Sequence, residues 1–309
     1  MENESKSSRR ELSKCLRRDL VIVRAGVRSL HPAWLKGSDD RSWDLVVSVY
    51  DDADFDHGDD VVIARDPGGK WDGVSKYLLR SGALDRYDHI WLPDDDIATN
   101  GAAISAMFAQ MRRFDLDIAQ PSLTWDSYFT HFVTLSCPGL RLRYTNFVEI
   151  MIPCVKSALL RAVLPDFADS MSGFGMDPIW CRLSSEPAFK AAILDGVAMR
   201  HTRPVGGGLH KMMREQGRSA KDEAARLARA YGVDRKIRPV VYALIDEQDR
   251  LVRGETPFSR FLLGASMCGR YVAAHKFFVF KRSMMWKLLQ LVRRQAFEPL
   301  ELWQLQRKA

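Results

Sequence analysis

The sequence is short of cysteine, of long apolar runs and of glycine-rich loops, and each shortage argues against a class of protein. Its five cysteines, Cys15, Cys137, Cys154, Cys181 and Cys268, are odd in number, widely spaced and without any Cys-x-x-Cys pair. A zinc knuckle or disulfide framework is not indicated, and a reducing compartment is the default. No stretch of about 18 consecutive apolar residues occurs, so no transmembrane helix is expected. Residues 1–18 are polar and charged with no apolar core, so no signal peptide is visible and a mobile basic leader is expected there. No Gly-x-Gly-x-x-Gly follows the first apolar run, which argues against a dinucleotide oxidoreductase. Residues 24–30 offer only Gly26, whereas a nucleotidyltransferase would want a glycine-rich phosphate loop early in the chain. Internal repeats and low-complexity tracts are also missing.

What is present has a clear order. An apolar share of 46% is ample for a core. The net charge of +7 is uneven: residues 211–309 hold 21 Lys+Arg against 10 Asp+Glu, and residues 1–210 hold 25 against 29. Acidic surfaces favour metals, and basic ones favour phosphates, nucleic acid or anionic lipid. Apolar runs at 19–24, 43–50, 61–64, 88–92 and 117–120 read as short strands, with helical spacing at 70–80 and 102–113 between them. This alternation predicts an α/β fold with a mostly parallel sheet flanked by helices, whose ligands bind outside the carboxyl ends of the strands. Residues 123–145 are irregular and aromatic-rich, and Phe147–Pro153 reads as a strand before a helix at 157–163. Beyond 210 come an amphipathic basic helix (219–231), a hairpin (240–252) and a helical stretch (258–296) in which Phe277, Phe278, Phe280 and Trp286 lie among lysines and arginines. A basic amphipathic helix can lie on an anionic membrane surface. The alternative is a helix packed on its own domain with a solvated basic face.

The chemistry concentrates where the run His89-Ile90-Trp91-Leu92-Pro93 stops at Asp94-Asp95-Asp96. Three adjacent carboxylates raise one another's pKa values, and a divalent cation removes that penalty. The spacing Asp94-x-Asp96 puts two carboxylates on one side of an extended chain end. An acidic turn into the helix near Gly101, with Asp96 or Asn100 as its cap, is the plain alternative. Asp51 and Asp52 end an earlier strand in the same way. Further on stand Gly173-Phe174-Gly175-Met176-Asp177 and a strand ending at His201, followed by Gly206-Gly207-Gly208.

In this order the features resemble glycosyltransferases of the GT-A fold and, more closely, the family catalogued as domain of unknown function 707. Lys70-Trp71 and Lys76 match that family's helix before the acidic strand, and Asp94-Asp95-Asp96 takes the place of its Asp-Glu-Asp. Gln120-Pro121 matches its Gln-Pro step, and Phe147-Val148-Glu149 matches a Gly-Phe-Val-Glu stretch from which Asn146 departs. Gly173–Asp177 matches Gly-Trp-Gly-Met-Asp with Phe174 for Trp, and His201 with its glycines matches a His followed by a glycine cluster. The resemblance covers roughly residues 19–211 and leaves the last hundred or so outside it. It implies a GT-A-like, Rossmann-like nucleotide-sugar domain over 19–211 and a basic, mainly helical region over 212–309.

It also implies the roles. Asp96 would bind Mn²⁺ or Mg²⁺, Asp94 would contact metal or ribose, and His201 would complete the coordination; histidine suits Mn²⁺ better than Mg²⁺. The ion would stabilise charge on the leaving diphosphate of a nucleotide-sugar donor. Asp177 would be the base for an inverting transfer, with Glu149 and Phe174 beside the acceptor. Asp51 and Asp52 would meet the nucleoside, and Lys70 and Lys211 the diphosphate. Trp125 and Tyr128 would stack on an acceptor sugar. Each has a structural alternative: helix capping for Asp177, a satisfied loop or core histidine for His201, a structural hydrogen bond for Glu149, turn acids for Asp51 and Asp52, buried anchors for the aromatics. The competing functions are a nucleotidyltransferase, or a non-catalytic glycan- or membrane-surface-binding protein on the same scaffold. Nucleic acid is not expected as a partner. The expected setting is cytoplasmic, with contact to the inner membrane face through the C-terminal region.

Overall fold

Asp19–Ala25 (β1) and Trp43–Val49 (β2) are buried along their whole length, as Val-, Leu- and Ile-rich runs require when both faces of a sheet are covered. The computed structural model describes residues 17–298 and 305, apart from 39, 59, 168–169, 187–188, 205–206, 234–237 and 275–281. Most of the leader expected over 1–18 lies outside them. The further strands are β3 (Val61–Arg65), β4 (His89–Trp91), β5 (Ile97–Ala98), β6 (Ile118–Leu123), β7 (Leu140–Thr145), β8 (Cys154–Lys156), β9 (Ala191–His201), β10 (Val241–Asp246) and β11 (Leu251–Arg253). They form one 11-stranded sheet in the order β11-β10-β7-β9-β6-β8-β4-β1-β2-β3, with β5 pairing to β9.

The pairs β2–β3, β1–β2, β1–β4 and β6–β9 are parallel. The carboxyl ends of β1, β2 and β4 therefore open on one edge. The remaining pairs, which tie β8, β7, β10 and β11 into the sheet, are antiparallel. Residues beyond 211 thus extend the same sheet through β10, whose hairpin with β11 matches the sequence expectation.

Helices cover both faces. Side-chain alternation along β1 sends Val21 and Val23 into one core with Ile104, Met107 and Phe108 of α2 (Gly101–Arg113). It sends Leu20 and Ile22 into the other, with Trp71, Val74 and Tyr77 of α1 (Lys70–Ser81) and Leu160 and Val163 of α3 (Ser157–Phe167). Gly82, at φ 70°, closes α1 as its sequence predicts. Trp71 stacks on Phe167 with ring centroids 3.9 Å apart, so it belongs to the core. The later helices are α4 (Ile179–Leu183), α5 (Gly207–Glu215), α6 (Ala220–Ala230), α7 (Pro257–Ala274) and α8 (Arg282–Phe297). Among the described residues, no helix is long and apolar enough to cross a membrane.

Two sequence expectations change. The aromatic segment 123–145 is irregular only up to β7, whose residues 140–145 pair with both β9 and β10. Phe147–Pro153, expected as a strand, is a loop between β7 and β8. Its Met151 and Pro153 carbonyls accept from the Asp94 and Leu92 amides, but side chains of the neighbouring site take other groups, as described next.

Candidate functional site

Asp94, Asp95 and Asp96 leave the end of β4, and the register of a neighbouring strand pair brings histidine to them. β5 and β9 are antiparallel with Ile97 opposite His201. Asp96 precedes Ile97, so His201 arrives beside it. One ligand atom from each of Asp94, Asp96 and His201 lies within 4.8 Å of the others. Asp96 and His201 are buried, whereas Asp94 is half-buried.

The histidine is oriented from behind. Its Nδ1 lies 2.7 Å from the Tyr128 carbonyl. A carbonyl only accepts, so Nδ1 carries a hydrogen and Nε2 is the atom turned to Asp96, at 3.1 Å from Oδ2. Burial pulls the imidazole pKa down, but the Asp96 carboxylate holds it above the ordinary value overall. Without a cation, a proton on Nε2 pairs with Asp96; with one, the Nε2 lone pair is available. The other Asp96 oxygen, Oδ1, is buried with no hydrogen-bond partner. A buried, unsatisfied carboxylate oxygen is costly, and a hard cation would satisfy it. The donor set of two carboxylates and one imidazole therefore fits a divalent ion. Asp96 does not cap the following helix; Asn100 does, accepting from the Ala103 amide at 2.9 Å.

Asp94 is held by Lys70 at the start of α1. The Lys70 Nζ donates to Asp94 Oδ1 at 2.7 Å and to the carbonyls of Ile150 and Met151 at 2.8 and 3.0 Å. An ammonium has three donors, and all three are engaged. Lys70, expected to meet a diphosphate, instead fixes Asp94 and the 147–153 loop. Burial lowers its pKa, an effect that Asp94 opposes.

Asp95, to which the sequence assigns no role, ties three segments together. It accepts from the Gly26 amide after β1 and from the Tyr50 hydroxyl after β2, each at 3.2 Å. Its other oxygen takes Arg203 Nη1 at 3.0 Å. A Cβ at Gly26 would come within 2.5 Å of Asp51 Oδ2 and the Tyr50 hydroxyl, so any larger residue there would displace these two side chains. Sequence reasoning missed Arg203. Its place two residues after His201 gives no sign that it would reach Asp95.

The second half of the site is the 147–153 loop against Asp177, which stands just before α4. The Glu149 amide donates to Gln120 Oε1 at 2.6 Å, and the Ile150 amide donates to Asp177 Oδ1 at 2.9 Å. Burial pushes the Asp177 carboxyl up to about 6, with amides of Ile150, Asp177 and Gly175 opposing. Burial, reinforced by the charge of Asp177, pushes Glu149 up to about 8. Its Oε2 is buried and unpartnered. In metal-free protein, the contribution of Glu149 to the unfolding free energy is expected to fall as pH rises from about 4.5 to about 8. The native carboxyl keeps a proton over that window, while the unfolded chain releases it. Glu149→Gln removes this loss, so its stability advantage should be larger at the upper end. Urea titrations of both proteins at the two ends check this; a constant difference would mean that Glu149 titrates normally.

The Gly173–Asp177 turn is built on close approaches. Gly173 has φ 65°, and a Cβ there would come within 2.3 Å of the Trp71 indole nitrogen. The motifs at 70–71 and 173–177 are therefore in contact. Glu223 of α6, also missed from sequence, holds the turn from the other side. It accepts from the amides of Met171 and Ser172 and the hydroxyls of Ser170 and Ser172. Burial opposes its ionisation, but these hydrogen bonds outweigh that and lower its pKa.

The remaining candidates divide. Asp51 and Asp52 are exposed at the end of β2; Asp51 also accepts from the amides of Val27 and Ala53 at 3.0 and 2.9 Å, closing its own turn. Tyr128 and Phe174 are half exposed. Trp125, expected to stack on an acceptor, is packed against Tyr271 and Phe132, and its indole nitrogen donates to the Ser136 carbonyl at 3.0 Å. It anchors a loop, because its ring faces are taken by the core and its one polar atom is satisfied. Lys211 lies in α5 with its side chain outside the described residues, and Gly206 lies outside them altogether.

Sheet and site together define an α/β protein with a candidate cation site at its strand ends. No family model matches the chain, and no curated protein matches it. Among solved structures it is similar to that of S. aureus TarS 1–349, at 12% sequence identity and a TM-score of 0.41, over 91% of this chain and 82% of that one. The same TarS fragment in complex with UDP-GlcNAc is 11% identical, with a TM-score of 0.41 over 91% and 82% of the two chains. A longer S. aureus TarS chain is 12% identical, with a TM-score of 0.44 over 86% of this chain and 44% of that one.

Proposed function

We propose that this protein is a metal-dependent, GT-A-like glycosyltransferase that moves a sugar from a nucleotide-diphosphate donor to an acceptor hydroxyl. The observation that carries the reading is the convergence of Asp94, Asp96 and His201 at the carboxyl end of β4, with an unsatisfied carboxylate oxygen inside the group. These residues would hold Mn²⁺ or Mg²⁺, with the imidazole favouring Mn²⁺. Such an ion supplies positive charge where a departing diphosphate accumulates negative charge.

The chain's own groups divide the other tasks. Asp177, poised at about 6, is largely ionised at neutral pH yet basic enough to take a proton, which suits a base facing an acceptor hydroxyl. Glu149, at about 8, largely keeps its proton there and can donate a hydrogen bond to the acceptor. Tyr128 and Phe174 supply exposed rings for that acceptor, a carbohydrate or another hydroxyl compound. Asp51 and Asp52 supply carboxylates for a nucleoside's hydroxyls. The reading sets this activity in the cytoplasm.

Melting curves with UDP, GDP and other nucleoside diphosphates, each with and without Mn²⁺, test the donor site. A rise with at least one nucleotide that depends on Mn²⁺ is expected, since ligands stabilise the state that they bind. No metal-dependent rise with any of them would reject the donor site. Asp177→Asn should keep that rise and lose transfer; retained turnover would exclude Asp177 as the base.

A further inference from the structure

The helical stretch 258–296 is divided into α7 and α8, which pack on each other as a hairpin. Arg260 donates to the carbonyls of Glu298 and Ala296, and Gly264 sits against Gln295 and Val292, so the two helices run antiparallel. Their shared seam and their contact with the sheet bury Leu263, Met267 and Tyr271 of α7 and Leu288 and Leu291 of α8. A self-packed pair of helices should now turn polar faces to water. These do not. Phe258, Phe261 and Leu262 on α7, and Met285, Trp286 and Leu289 on α8, are all exposed, from 45% for Phe261 to 70% for Phe258. Single exposed apolar residues are ordinary, but Met285, Trp286 and Leu289 stand at i, i+1 and i+4 on one stretch of α8, and large apolar side chains gathered on one helix face mark an interaction surface.

The charge around this surface selects the partner. α8 contains four Lys or Arg and not one Asp or Glu. Lys287 and Arg293 are exposed on α8 beside the apolar side chains. A second copy of the chain would bring the same positive charge against itself. Exposed aromatic and aliphatic side chains on α8, with Lys287 and Arg293 exposed on the same helix and no acid in it, suit a surface that is apolar below and anionic above. We propose that the α7–α8 hairpin docks this protein on the surface of an anionic lipid bilayer, with Trp286 and Leu289 entering the headgroup boundary. The inference is independent of the catalytic reading, since its test needs neither nucleotide nor metal.

The test is co-sedimentation of the full chain with vesicles of phosphatidylcholine alone and of phosphatidylcholine with phosphatidylglycerol. Binding to the anionic vesicles, weakened by salt, is expected. Trp286→Ser with Leu289→Ser should lower that binding by roughly tenfold or more, with an unchanged melting curve because both side chains are exposed. Lys287→Glu with Arg293→Glu should lower binding as well, and it decides the matter should the serine variant melt early. Failure to bind anionic vesicles, or binding that both variants leave intact, overturns the proposal. So does a lipid-free dimer, seen by sedimentation equilibrium, that the serine variant dissociates. Salt-sensitive binding to acidic polypeptides with none to the vesicles would also overturn it.

Discussion

Asp96→Ala is expected to abolish the Mn²⁺-dependent rise in melting temperature and to lower transfer by on the order of 10²- to 10³-fold. The backbone at this position is held independently of the side chain: the Asp96 carbonyl accepts from the Thr202 amide at 3.1 Å and from its hydroxyl at 2.8 Å. The chain path, and with it Asp94 and Asp95, should therefore survive the substitution. What is lost is the carboxylate whose Oδ2 meets His201 and whose Oδ1 is unsatisfied. The variant also removes the group that raises the His201 pKa, so the histidine should titrate lower, which NMR of its ring protons would read. A melting rise with Mn²⁺ and nucleotide equal to that of the wild type would remove Asp96 from the set of ligands.

Arg143→Met is expected to destabilise the fold by about 3–5 kcal/mol, a fall of about 10 °C in melting temperature. Arg143 of β7 is fully buried and meets Asp195 of β9 twice, Nε to Oδ2 at 2.7 Å and Nη2 to Oδ1 at 2.9 Å. It also donates to the carbonyls of Val133 and Leu135 and to the Tyr271 hydroxyl of α7. Taking away the guanidinium leaves a buried carboxylate with its principal counter-charge gone, and takes from the Val133 and Leu135 carbonyls a charged donor that the Tyr271 hydroxyl replaces only at Leu135. Arg143→Met with Asp195→Leu should recover part of the loss, because the lone buried charge is then gone. Denaturant unfolding of the three proteins measures this, and a loss below about 1 kcal/mol for the single variant would contradict it. This one residue joins the strand beside the site, the 133–135 loop and the C-terminal helices, so its loss should loosen the attachment of α7.

Much of the site was legible because its residues are marked by position along the chain. Strands that end in acids, a strand that ends in histidine and glycines flanking an aromatic are local signals, and Asp94, Asp96, His201 and Asp177 carry them. The residues that hold these groups gave no such signal. Arg203, Glu223 and Arg143 read as ordinary charged residues, and only the fold brings them to Asp95, to the 170–173 turn and to Asp195. The apolar segment Phe147–Pro153 misled for the same reason. Its composition favours a strand, but in the folded chain Gln120, Asp177 and Lys70 take hydrogen bonds that a strand would give to its neighbours.

The sequence by itself determined the strand and helix alternation over residues 19–120, the edge of the sheet at which the acids stand and the pairing of acids with a distant histidine as the candidate cation site. The first two follow from hydrophobic periodicity and from residue type, which act over a few residues; the third is what the resemblance to GT-A glycosyltransferases implies. Only the tertiary structure decided how the charges are shared. Lys70 is committed to Asp94, Trp125 to the core, Asp95 to the loops around it, and the basic C-terminal helices turn large apolar side chains outward. Each outcome depends on which groups meet across dozens of residues, where burial penalises a donor, acceptor or charge that finds no partner in space.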